Sequence, residues 1–282
     1  MTESAAAHSE SVGLYVFCFV RAGGAEAAVG RGLAGDTPLQ ARLHGQVAAI
    51  CCEVPLQEWT GAAGEAHLKD VSWLGPRALR HEEVVEQMRR ASPVLPLRFG
   101  CLFSSEERLE ELLRREHERI AAFIEKTAHE EEWSLQGALD LKACEEAMFA
   151  ADPRVARLPA SSGSRYLMEQ QLRKDAVRLA REWVKESEAV ILQALEGLVL
   201  ARRPLRPASR GPGAPALEGF FHWALLVPEG AEAELARRLE PLAEPMLARG
   251  LHLSARGPWP AYNFAPHLGD GLNDTAGEPP LE

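Results

Sequence analysis

Ala91-Ser92-Pro93-Val94-Leu95-Pro96-Leu97-Arg98-Phe99-Gly100-Cys101-Leu102-Phe103-Ser104-Ser105 joins a helical segment to a strand, and the strand to a second helix. Pro93 and Pro96 bar a helix and push their preceding residues toward extended geometry. Leu95, Leu97, Phe99 and Cys101 then alternate onto one face of a strand over 94–103, with Arg98 on the other. Ser104 predicts a helix N-cap, and Glu107 three residues later predicts a capping box.

Upstream, Val12 to Val20 is rich in β-branched and aromatic residues and reads as a central strand. Leu39–Leu43 and Gln46–Val54 flank His44-Gly45, the turn of a hairpin. Pro55 to Ser72 reads as a loop or short helix. Pro76 suits the first turn of a helix whose apolar face is Leu79, Val84, Val85 and Met88. Strand, short helix, two strands, helix and strand make a modified ferredoxin-like unit over 12–105.

Downstream, Glu106 to Thr127 is strongly amphipathic, with Leu109, Leu112, Leu113, Ile120, Phe123 and Ile124 at steps of three and four. Glu130-Glu131-Glu132 closes that segment, Trp133–Leu139 reads as a strand and Leu141–Met148 as a short helix. Ser164 to Leu200 is the longest periodic segment, on the order of 50 Å at 1.5 Å per residue. Its expected apolar positions include Leu172, Ala176, Leu179, Trp183 and Val190. A helix of that length predicts a projecting coiled-coil-like arm, with Glu106–Thr127 as its partner. Arg202–Gly219 reads as a mobile hairpin loop, Phe220–Val227 and Leu251–Arg256 as strands, and Ala231–Arg249 as a helix broken or kinked at Pro241 and Pro245. The fold class expected is therefore α+β, with two ferredoxin-like βαββαβ-type domains, 12–105 and 106–264. Residues 1–11 and 268–282 are expected to be disordered tails.

Two blocks carry a family resemblance. His81-Glu82-Glu83-Val84-Val85 followed by Pro93–Gly100, and Gly257-Pro258-Trp259-Pro260-Ala261-Tyr262-Asn263-Phe264, together resemble the gas vesicle protein F/L family (GvpF/GvpL). The chain departs from the family pattern at Cys101, Ala261 and Asn263. The resemblance runs from about Leu14 to Phe264. It implies a non-enzymatic gas vesicle assembly protein, an accessory or minor vesicle component in the cytoplasm or at the vesicle. It implies a partner too, the small hydrophobic gas vesicle shell protein, held back from aggregation during nucleation; other accessory proteins of the vesicle are further candidates.

The residues themselves offer little chemistry. Gly30-Arg31-Gly32-Leu33-Ala34-Gly35 matches a dinucleotide fingerprint, but Arg21–Val29 separates it from the preceding strand and Asp36-Thr37-Pro38 follows where a helix should start, so a flexible loop is expected. No His-Glu-x-x-His or Gly-x-Ser-x-Gly occurs, and neither metal nor cofactor nor catalytic residues are expected. His81, at the head of a helix face beside Glu82 and Glu83, reads as a packed or capping histidine rather than as a general base or ligand. The five cysteines have no Cys-x-x-Cys spacing, which fits a reducing compartment. Cys51 and Cys52 alternate along one strand, so one of them should be exposed. A net charge of −10 argues against nucleic acid, and no apolar run is long enough to span a membrane.

Arg98 must be paired or exposed. It is read either as a salt bridge to Glu82 or Glu83, or as a partner-binding hot spot flanked by Leu97 and Phe99. Trp259 and Tyr262 are rigidly held amphipathic rings that either anchor the C-terminal stretch to the first domain or line a binding groove. Tentative partner-binding residues are thus Leu97, Arg98, Phe99, Trp259 and Tyr262. A sheet edge beside Pro93–Phe99 would accept a strand of the partner, and a groove beside the arm a helix. The alternative readings are an enzyme or nucleotide-binding module on the same fold, and a scaffold bridging other assembly proteins.

Overall fold

A computed structural model describes residues 11–33, 35, 37–206 and 218–269. Most of both expected tails, and residues 207–217 of the expected hairpin loop, lie outside the described residues. The described chain divides into two compact units, 11–130 with 260–269, and 131–259. The division expected between 105 and 106 thus falls after 130. The helix Glu106–Lys126 goes with the first unit because its apolar stripe packs on the first sheet.

The first unit contains β1 (Val12–Arg21), β2 (Gln40–His44), β3 (Val47–Pro55), α1 (Gly61–Lys69), α2 (Val71–Ala91), β4 (Val94–Pro96), β5 (Leu102–Phe103) and α3 (Glu106–Lys126). Its antiparallel sheet has the order β2-β3-β1-β4, with β5 also pairing with β1. Every residue from Gly13 to Val20 is buried, so β1 has no solvent face. The register between β1 and β3 shifts between Val16 and Cys18. A bulge of this kind sets two neighbouring residues on one side. Tyr15, Phe17, Cys18 and Val20 accordingly join Val84, Val85 and Met88 of α2 in one core cluster. Val16 and Phe19, equally buried, are left for the face on which α3 lays Leu109, Leu112, Leu113, Ile120 and Ile124.

Coverage on both faces corrects the expectation for the cysteine pair. Cys52 belongs to the α2-side cluster, Cys51 faces the other way, and both are fully buried. Burial pushes the Cys51 thiol up to about 12 and the Cys52 thiol up to about 11, so neither is a ready thiolate.

Local signals shift in several places. α2 starts at Val71, capped by the Asp70 carboxylate accepting the Ser72 amide at 2.9 Å, so Pro76 lies in the second turn rather than the first. Leu79, expected on its apolar face, is exposed, and His81 takes the buried position instead. The N-cap of α3 is Ser105, whose hydroxyl accepts the Arg108 amide, and not Ser104. Glu107 is then one position too early for a capping box.

The second unit contains β6 (Glu130–Leu139), α4 (Leu141–Ala151), α5 (Ser162–Ala194), β7 (Ala201–Pro204), β8 (Glu218–Pro228), α6 (Glu232–Leu247) and β9 (Leu251–Trp259). Its sheet order is β7-β8-β6-β9, the same 2-3-1-4 order, counted along its own strands, as β2-β3-β1-β4. The glutamates of 130–132 start β6 rather than ending a helix. Glu131 is buried and accepts the Trp133 indole N–H at 3.0 Å. From Trp133 the strand alternates: Trp133, Leu135, Gly137 and Leu139 are buried, and Ser134, Gln136 and Ala138 are half-buried. Gly137 is needed where the Phe221 ring lies against the strand, since a methyl group there would collide with it.

α5 has 33 residues and a buried stripe of Leu172, Ala176, Ala180, Val184, Ser187 and Ile191. From Ala180 onward that stripe is one position off the expected one. Trp183 lies beside it, with the Arg249 guanidinium 5.5 Å from its ring centroid. The partners of α5 are α4 and α6, not the helix at 106–126, which is in the other unit. α6 runs through Pro241 and Pro245 without ending. The two prolines are one turn apart and both exposed, so the carbonyls that lose their donors face water.

Candidate functional site

The stretch Ala91–Ser105 does not contain one continuous strand. β4 stops at Pro96 and β5 begins at Leu102, and between them the chain turns at Phe99-Gly100. Gly100 sits at φ +95°, a left-handed conformation that favours glycine. Both flanks return to β1: the Leu97 amide donates to Phe17 O at 3.0 Å and the Val16 amide to Cys101 O at 2.9 Å. Leu95, Pro96 and Leu97 are buried in succession, so the expected alternation fails because the sheet is covered on both sides.

A buried relay holds this turn. His81 of α2 is fully buried, with Nε2 3.0 Å from Leu97 O and Nδ1 2.8 Å from the Tyr15 hydroxyl. A carbonyl only accepts, so Nε2 carries the proton and Nδ1 accepts the Tyr15 O–H. The same hydroxyl accepts the Gly100 amide at 3.2 Å. The turn is therefore tied at its start through Leu97 O and at its end through Gly100 N. Burial pushes His81 down to about 4, and the Leu97 hydrogen bond opposes this only in part. Burial raises the Tyr15 phenol well above its ordinary range. Both groups are neutral at pH 7. With both ring nitrogens engaged inside the core, His81 offers no lone pair to a substrate or metal.

Rings pack around the relay. Phe99 is half-buried, with its ring centroid 5.8 Å from Tyr15, 5.8 Å from His81 and 5.6 Å from Trp59. Trp73 continues the cluster outward, 4.9 Å from Trp59, stacked on His67 at 4.6 Å and with the Arg77 guanidinium 4.0 Å over its ring. Arg98 stands exposed at the turn. The expected salt bridge to Glu82 or Glu83 is not formed. Glu82 accepts the Tyr262 hydroxyl at 3.1 Å and Glu83 pairs with Arg80 at 3.0 Å. Among the described residues the Arg98 guanidinium has no ion-pair partner.

Leu97, Arg98 and Phe99 are thus brought together with Tyr15 and His81. Tyr262 joins the same core cluster and anchors the C-terminal stretch through Glu82, whose carboxyl is raised by burial. Leu268, expected in a tail, is fully buried, and its carbonyl accepts from Arg115. Trp259 does not share this role: it ends β9 in the second unit and is half-exposed. Nothing in the sequence marks Tyr15 and His81 as a pair. An apolar strand position and a histidine 66 residues later carry no signal of a shared bond.

The glycine-rich stretch offers no phosphate cradle among the described residues. Arg31 bridges Pro38, the Gly32 amide donates to Thr37 O, and the Leu33 amide donates to Cys52 Sγ. Arg80 donates to the Arg31 and Gly32 carbonyls. The described residues contain no group of three or more His, Cys, Asp or Glu placed to hold a metal. No helix among them is long and apolar enough to cross a membrane.

Comparison with known proteins gives a consistent picture. The family model for gas vesicle synthesis protein GvpL/GvpF matches residues 13–266. The chain is 23% identical over 248 residues to gas vesicle protein L of a Streptomyces species, covering 86% of this chain and 89% of that protein. It is 25% identical over 199 residues to gas vesicle protein L1 of Halobacterium salinarum, covering 67% of this chain and 70% of that protein. The crystal structure of GvpF from an Anabaena species shares the fold, with TM-score 0.64 and 19% identity over 91% of this chain and 97% of that one. That of GvpF from Microcystis aeruginosa gives TM-score 0.58 and 18% identity over 90% and 99%.

Proposed function

Because the chain belongs to the GvpL/GvpF family of gas vesicle synthesis proteins, we propose that it is a non-enzymatic assembly factor that binds the hydrophobic gas vesicle shell protein and limits its aggregation during nucleation. It works in the cytoplasm, at the nucleation complex or the vesicle surface, with other gas vesicle accessory proteins as further partners. The observation that supports this most is the Leu97–Gly100 turn. It is rigidly seated on the Tyr15–His81 relay, and it displays an unpaired arginine beside half-buried aromatic rings. An arginine carried on a pre-ordered turn and flanked by aromatic surface is the composition of an interface anchor, because little loop entropy remains to be lost on binding.

The test is co-expression with the shell protein of the chain's own gene cluster, followed by affinity pull-down under reducing conditions. Retention of soluble shell protein is expected, and Arg98→Glu should reduce it about tenfold or more without changing the unfolding midpoint, as for an interface hot spot. A folded chain that never retains shell protein overturns direct binding. Unchanged retention by Arg98→Glu removes the turn from the interface.

A further inference from the structure

The chain carries a net charge of −10, yet the stretch from Arg154 to Lys185 holds eight Lys and Arg against three Asp and Glu. All three acids are engaged within the stretch: Glu169 with Arg173 at 3.3 Å, Asp175 with Arg154 at 2.8 Å and Glu182 with Arg178 at 3.0 Å. Arg157, Arg165 and Lys174 have no ion-pair partner among the described residues, and Arg165 and Lys174 are both on α5.

The same end of α5 is bare. Every residue from Ser161 to Met168 is exposed, and burial begins only at Leu172. Three consecutive large apolar residues lie in this stretch: Tyr166 is 62% exposed, Leu167 70% and Met168 43%. At about 100° per residue they cover some 200° of the helix circumference, a band around its end and not a stripe along its side. Such a turn gains nothing from packing within its own unit, and isolated helical turns are marginal in water. Exposed apolar groups of this kind mark an interaction surface.

We propose that the free end of α5 together with the segment leading into it, from Arg157 to Lys174, docks an acidic protein segment that also carries apolar side chains. Charge decides the partner's sign: the unpaired cations stand together on a chain that is otherwise strongly acidic, so this end attracts an acidic segment. The shape of the apolar band decides its class. A helix lying on a lipid surface needs a continuous apolar face along its length, whereas here Glu169, Gln170 and Gln171 interrupt that face immediately. A band at a helix end fits a shallow protein groove. Two copies of this end would repel each other. The docking end belongs to the second unit and the Leu97–Gly100 turn to the first, and neither reading depends on the other.

Fluorescence anisotropy with the full chain tests the assignment. The probe is a labelled amphipathic helical peptide of about 18 residues, five turns, with glutamates on one face and leucines on the other. The control has every glutamate replaced by lysine. The acidic peptide should bind about tenfold or more tightly than the control, and less tightly as salt rises. Arg165→Glu with Lys174→Glu should weaken it about tenfold, and Tyr166→Ser with Leu167→Ser should weaken it while leaving charge unchanged. All four positions are exposed, so the circular dichroism and unfolding midpoint should not move. Equal binding of both peptides, or indifference to both variants, overturns the proposal. So does binding to phosphatidylglycerol vesicles in place of the peptide, which would assign this end to lipid, or self-association that both variants abolish, which would assign it to a second copy.

Discussion

The two sheets share one strand order but differ in what covers them, and the difference shows in the sequence of their central strands. β1 reads as an unbroken apolar run and is buried from Gly13 to Val20 between α2 and α3. β6 alternates from Trp133 on, with Leu135, Gly137 and Leu139 turned to the core and Ser134, Gln136 and Ala138 half-buried. A strand covered on both faces has no position where a polar side chain is cheap, whereas a strand covered on one face has one at every second residue. Helix content alone would not separate the two units. The extra helix on the first sheet, α3, is what makes Cys51 as buried as Cys52.

The contrast can be broken most directly at the centre of each sheet. Phe17→Ala should destabilise the first unit by about 3–5 kcal/mol, the range for an aromatic lost from a tight core. The denaturant midpoint of the full chain measures it, and a loss below about 1 kcal/mol would mean that the first core is looser than its burial implies. The relay sharpens the contrast next. The neutral His81 ring is the folded form, and its pKa falls from an ordinary 6.5 to about 4. The stability this contributes is complete above about pH 6.5 and is lost as pH falls toward 4. The loss is on the order of 3 kcal/mol for a shift of this size. His81→Gln should flatten that part of the pH–stability curve. An unaltered slope in the variant would assign the acid sensitivity to other groups. The smallest effect belongs to the half-buried side of β6. Ser134→Ala removes a 2.8 Å contact to His222 Nε2 and should cost about 1 kcal/mol or less. A cost equal to that of Phe17→Ala would show that this side is as tightly packed as the first core.

Element types were largely legible. The amphipathic steps of α3 and the long α5 follow from residue periodicity, the hairpin follows from its turn at His44-Gly45, and the strand at Trp133–Leu139 was legible too; together these produce an α+β chain with two sheets. The site was legible only in part. Pro93, Pro96 and Arg98 mark an irregular, polar interruption of an apolar run, but the expected single strand hid the turn. The signal for that turn was Gly100, which the alternation of Leu95, Leu97 and Phe99 masked. The salt bridge expected for Arg98 is not formed: Tyr262, 180 residues from Glu82, donates to that carboxylate, and Glu83 pairs with Arg80.

By itself the sequence determined most of the segments that are helical or extended, because that preference depends on neighbours within a few residues. It also carried the two blocks that mark the family. Only the tertiary structure decided that α3 covers the second face of the first sheet and that α5 pairs with α4 and α6. It alone joined Tyr15, His81, Leu97 and Gly100 into one relay, leaving Arg98 outward and unpaired. Those outcomes turn on which distant surfaces exclude water from one another, and on which donor reaches an acceptor first. A linear pattern of residues records neither.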